Sequence, residues 1–89
     1  MSANKLKKAL QGIIEKFLNK QLTKEQVAEK LVQSVDCEDV YGINNLLISD
    51  SYFSLSHIIE EDINDVELKY LLNCLSGQCE YRLAEKLKL

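Results

Sequence analysis

Eighty-nine residues suffice for one domain, 1–89, and leave no room for a second core. Hydrophobic residues make up 46%, fifteen positions are Leu, only three are Gly and none is Pro or Trp, which all but excludes a turn-rich β sandwich and predicts a small helical fold. A net charge of −3 with 28% charged residues belongs to a folded soluble chain rather than a disordered one.

The first helix is expected from Ala3 to about Lys20. Leu6, Leu10, Ile13, Ile14, Phe17 and Leu18 recur at three- and four-residue intervals, and lysines occupy the other face. Thr23 and Gln26 have the spacing of a capping box, so a second helix begins near Lys24, with Val27, Ala28, Leu31, Val32 and Val35 as its apolar face. Asp36-Cys37-Glu38-Asp39 breaks that pattern and Gly42 allows a turn, so a loop is expected there. A third helix is expected over Ile43–Glu61, with a possible kink where Ser49, Asp50, Ser51 and Ser54 weaken it. Asn64 and Glu67 repeat the capping spacing, so a fourth helix starts near Asp65. The stripe Leu68, Leu71, Leu72, Leu75, Cys79, Leu83, Leu87 carries it toward the end as one long helix, unless Gly77 breaks it. The resulting fold class is all-α, a small antiparallel four-helix bundle.

Charge is divided unevenly. Residues 1–30 hold seven Lys against three acids, and residues 68–89 hold four bases against two acids. Between them, residues 31–67 carry nine acids (Asp36, Glu38, Asp39, Asp50, Glu60, Glu61, Asp62, Asp65 and Glu67) and neither Lys nor Arg. Single acids suit the first turns of helices. A 37-residue stretch without one base implies in addition a surface for a basic partner, and it disfavours nucleic acid, whose phosphates it would repel.

Chemistry is sparse. Cys37, Cys74 and Cys79 are odd in number and cannot all pair within the chain. Cys74 and Cys79, five apart, are separated by about 500° on a helix and are not expected to share a face. Reduced thiols, no visible signal peptide and apolar runs of at most three residues point to a cytoplasmic protein without a membrane span. His57 is the only histidine. No metal-ligand spacing, phosphate-binding Gly loop or calcium loop accompanies it, so no metal, cofactor or enzymatic activity is expected. Asp50-Ser51 resembles the prosthetic-group site of acyl carrier proteins, although Tyr52 follows where that family has Leu or Met. On that alternative Ser51 would hold phosphopantetheine.

Phe17-Leu18-Asn19-Lys20-Gln21-Leu22-Thr23, leading into Val27 and Ala28, and the closing Leu83-Ala84-Glu85-Lys86-Leu87-Lys88-Leu89 resemble bacteriocin immunity proteins of the colicin D type. They also resemble related immunity proteins of contact-dependent growth inhibition systems. The resemblance covers the two ends and not residues 36–80, so no family residue is transferred to that middle. It implies a helical protein, monomeric when free, that neutralises a cognate toxin nuclease domain, often one that cuts tRNA. Such a nuclease must present a basic substrate groove, which an acidic helical surface can occupy. From charge, the candidate partner-binding residues are Asp50, Glu60, Glu61, Asp62, Asp65 and Glu67, with Tyr52 as an aromatic anchor. Phe53 is assigned to core packing, and Tyr41 suits either role. A small helical adaptor for some other basic protein is the remaining alternative.

Overall fold

The computed structural model describes residues 2–61 and 63–89; of the candidate residues, Asp62 lies outside the described residues. Among the described residues six helices follow in chain order: α1 (Ala3–Leu18), α2 (Lys24–Ser34), α3 (Cys37–Ile43), α4 (Leu46–Ser56), α5 (Asp65–Leu75) and α6 (Leu83–Lys86). The fold is therefore all-helical, with six elements where four were expected.

Capping chemistry sets most of the helix starts. Ser2 accepts from the Lys5 N–H at the head of α1 (3.3 Å). Thr23 and Gln26 form the complete reciprocal box at α2, with 3.2 Å and 2.8 Å bonds. At α5, Asn64 accepts from the Glu67 N–H (2.7 Å), while the Glu67 carboxylate turns to Lys86 Nζ, 3.3 Å away.

The expected loop at 36–42 is a helix instead. Asp36 caps it by accepting from the Glu38 N–H (2.9 Å), and Glu38 and Asp39 stand in its first turn, where carboxylates complement the helix dipole. The acids taken as a breaker are thus a start signal. Val40 is fully buried and Ile43 packs on the core, which fastens this short helix to its neighbours. The chain turns at Asn44, in the left-handed region at φ 57°, and not at Gly42. The expected third helix accordingly begins three residues late, at Leu46, where Asn45 caps it through the Ile48 N–H (3.2 Å). It ends at Ser56 without a break at its serines.

The long fourth helix is also two elements. α5 closes in a Schellman motif: Gln78 N–H donates to the Asn73 carbonyl (2.9 Å), Gly77 N–H to that of Cys74 (3.1 Å), and Gly77 adopts φ +86°. An apolar repeat that runs unbroken across residue 77 misled the sequence reading, because beyond it Cys79, Leu83 and Leu87 are exposed. Lys20 performs the same duty after α1 at φ 62°, with Gln21 N–H donating to Lys16 and Lys20 N–H to Phe17.

α1 lies at the centre, packed against α2, α4 and α5, with α3 resting on α4. Its buried Leu6, Leu10, Ile13 and Ile14 meet Val27 and Leu31 of α2, Leu47, Ile48 and Leu55 of α4, and Leu68, Leu71 and Leu75 of α5 in one core. Each such side chain, fully buried, contributes about 1.5–3 kcal/mol of transfer free energy. Val32, assigned to the apolar face of α2, is 81% exposed. The Cα radius of gyration of 11.9 Å matches the about 12 Å of a compact chain this long.

Candidate functional site

Helical spacing along α4 sorts its residues into faces. Leu47, Ile48, Ser51, Ser54 and Leu55 face the core. Ser49, Phe53 and Ser56, four and three apart, lie on the opposite side, and the turn that carries Glu60 follows. Phe53, assigned from sequence to the core, is 54% exposed. Its ring lies against the His57 imidazole, with centroids 4.2 Å apart at 35°.

Hydrogen bonds make this end of α4 one continuous unit. The Phe53 carbonyl accepts from the His57 backbone N–H (3.2 Å) and from His57 Nδ1 (2.9 Å). Because a carbonyl only accepts, Nδ1 carries the proton and a neutral ring leaves Nε2 as acceptor. Ser56 Oγ stands 3.0 Å from the same Nδ1. The His57 carbonyl in turn accepts from the Glu60 N–H (3.1 Å) and the Glu61 N–H (2.9 Å). Phe53, Ile59, Glu60 and Glu61 are all exposed along this segment, an aromatic and an aliphatic side chain within eight residues of sequence of two carboxylates.

The other candidate residues are dispersed. Asp50 is half-buried and its carboxylate accepts a hydrogen bond from the Tyr81 hydroxyl, which ties it to the C-terminal segment. Burial, followed by that bond and the Asp50 charge, pushes the Tyr81 hydroxyl well above its ordinary value. Tyr52 is half-buried and meets the exposed Tyr41 of α3 edge to face, with centroids 6.4 Å apart at 77°. Its own hydroxyl is pushed up by burial first and then by Cys37, Tyr41 and Asp36. Tyr52 therefore belongs with the α3 acids rather than with Glu60 and Glu61. Asp65 is exposed at the start of α5 and lines a cavity of about 300 Å³ with Lys20, Thr23 and Gln26. Glu67 and Lys86 pair with only 25% and 14% of their side chains exposed, so that carboxylate is largely neutralised.

Ser51 is wholly buried and its Oγ has no hydrogen-bond partner among the described residues. A prosthetic group attached there would need the α4 face that packs into the core. His57 is hydrogen-bonded to Phe53 and Ser56, while the free thiols of Cys74 and Cys79 are hydrogen-bonded to each other. Among the described residues no Cys–His hydrogen bond forms, and no group of three or more His, Cys, Asp or Glu is placed to hold a metal ion. Nor, among the described residues, is any helix long and apolar enough to cross a membrane.

The sequence reading missed Phe53, Ile59 and Val66 as exposed apolar side chains. For Phe53 the signal was present, since its neighbours at helical spacing, Ser49, Ser56 and Glu60, are all polar. Comparison with protein families, curated proteins and solved structures returns no significant match to this chain.

Proposed function

We propose that this chain is a cytoplasmic immunity protein, without catalytic activity of its own. It binds a cognate toxin nuclease domain, of the tRNA-cutting kind, and blocks its basic substrate groove. One observation carries the reading: Phe53 and Ile59 are exposed in the same α4–α5 segment as exposed Glu60 and Glu61, inside a 37-residue stretch that contains nine acids and no Lys or Arg. The resemblance at the two chain ends supports it. On this reading α1, α2, α4 and α5 are the antiparallel four-helix bundle that the helical periodicity predicts, with α3 and α6 added to it, and the free protein is a monomer.

The mechanism follows from charge and shape. Carboxylates on the α4–α5 turn, and Asp36 and Glu38 at the head of α3, attract the phosphate-binding groove at long range and raise the association rate. Phe53 then supplies the buried aromatic contact on which interface energy concentrates, with the acids as its polar rim. Nucleic acid is excluded rather than bound, and membranes have no part in it.

Co-expression with the toxic domain of a neighbouring reading frame tests the proposal. Restored growth with intact tRNA is the expected result. Continued tRNA cleavage with both chains soluble would overturn it and favour an adaptor for some other basic protein.

A further inference from the structure

The helix break at Gly77 has a chemical result. On a continuous helix Cys74 and Cys79 would diverge; the Schellman turn instead folds the chain back and leaves their sulfur atoms 3.1 Å apart. Cys74 is buried at the end of α5 and Cys79 is exposed. A bond between them requires the sulfurs to close by about 1 Å, over a turn whose Gly77 meets no neighbouring atom within 4 Å of where a Cβ would stand.

We infer that Cys74 and Cys79 form a thiol–disulfide couple that exchanges with small-molecule disulfides of the oxidised-glutathione class and, when closed, locks the C-terminal segment onto the helices. The exposed Cys79 thiolate attacks one sulfur of the small disulfide, the S–S bond breaks, and one glutathione thiolate leaves. Cys74 then gives up its proton and attacks the Cys79 sulfur, expelling the second glutathione thiolate. Two protein thiols are oxidised to one disulfide, the glutathione disulfide is reduced, and the two protons end on the two glutathione thiols. Burial, followed by the bond to Cys79, pushes the Cys74 thiol up to about 11, so the exposed partner reacts first and the buried one resolves the mixed disulfide.

The couple sits at the root of a strap. Tyr70 Oη accepts from the Arg82 N–H (2.8 Å) and lies 3.3 Å from the carbonyl oxygens of Glu80 and Arg82. The Tyr81 ring lies tilted against Tyr70, with centroids 6.0 Å apart at 37°, its hydroxyl donates to Asp50, and Lys86 reaches Glu67. Residue 79 immediately precedes all of these anchors. Fixing it to α5 removes conformations from the unfolded and detached states while leaving the docked state as it stands. A reducing cytosol holds the couple open, and a shift toward oxidation closes it.

The test treats the full chain with oxidised glutathione, alkylates the remaining thiols and digests with trypsin. Cys74 and Cys79 fall in one peptide, 70–82, and Cys37 in another, 31–69. Peptide 70–82 is expected to lose two hydrogens and carry no adduct. The melting midpoint is expected to rise by roughly 10 °C, the scale for closing so short a loop in a chain of this size. Arg82 N–H should also exchange more slowly. Cys79→Ser, at an exposed position, should fold and show none of these changes. A stable glutathione adduct on Cys79 without the internal bond would overturn the couple. An internal bond with unchanged midpoint and unchanged Arg82 exchange would overturn the lock.

Discussion

Removing the Tyr81 hydroxyl isolates the contact that joins the C-terminal segment to α4. In Tyr81→Phe the ring still lies against Tyr70, but the half-buried Asp50 carboxylate loses the hydroxyl that donates to it. A hydrogen bond to a charged group contributes about 1.5–3 kcal/mol. Partial exposure of Asp50 lets water take over some of this, which brings the expected loss to about 1–2 kcal/mol. For a domain of this size that is a fall of roughly 5–10 °C in the melting midpoint. Asp50→Asn should cost less alone, and a double-mutant cycle should recover a coupling of about 1 kcal/mol between the two positions. The pH dependence carries a second signature. Because Tyr81 is held above its ordinary value of 10.0 in the fold, its contribution is complete below about pH 10 and is lost as pH rises through the higher folded value. The parent should therefore lose stability in alkali more steeply than Tyr81→Phe, with Tyr52, also raised, retained in both. Equal midpoints for parent and variant, with no coupling to Asp50, would refute the strap as described.

Two further substitutions probe the helices themselves. Ser51→Ala removes a buried hydroxyl without a partner and installs a better helix former, so thermal or urea unfolding should show a gain of about 1 kcal/mol; a loss of stability would mean the hydroxyl is bonded. Lys20→Gly relieves a left-handed φ of 62°, a conformation that costs a side chain about 1–2 kcal/mol, and net stabilisation of roughly 0.5–1 kcal/mol is expected once the flexibility of glycine in the unfolded chain is set against it.

Much of the fold was legible because local chemistry announced it. Thr23 with Gln26 marked α2, Asn64 with Glu67 marked α5, and the Leu6–Leu18 stripe marked the central helix. The errors arose where one local signal had two meanings. Asp36–Asp39 reads equally well as a charged break or as a cap with a favourable first turn, and burial of Val40 and packing of Ile43 decide for the helix. At Gly77 the apolar period and the glycine disagree, and the backbone follows the glycine. The candidate site was less legible, since its acids were grouped by sequence proximity alone. Asp50 pairs with a residue 31 positions away and Glu67 with Lys86; neither partnership leaves a mark in residue spacing. Glu60 and Glu61 stay exposed because they occupy the turn between α4 and α5, and Phe53 joins them because α4 spends its other face on the core.

Competition between tRNA and this protein for the toxin domain tests the central claim most directly. The parent protein should displace tRNA from the toxin, and association should slow steeply with added salt. Replacing Phe53 with Ala and Glu60 and Glu61 with Lys, all at exposed positions, should leave folding nearly unchanged. It should weaken displacement by about 100-fold or more, the scale of losing an aromatic anchor together with two steering charges. Displacement that survives these three changes undiminished would contradict the assignment of this turn as the toxin-binding surface.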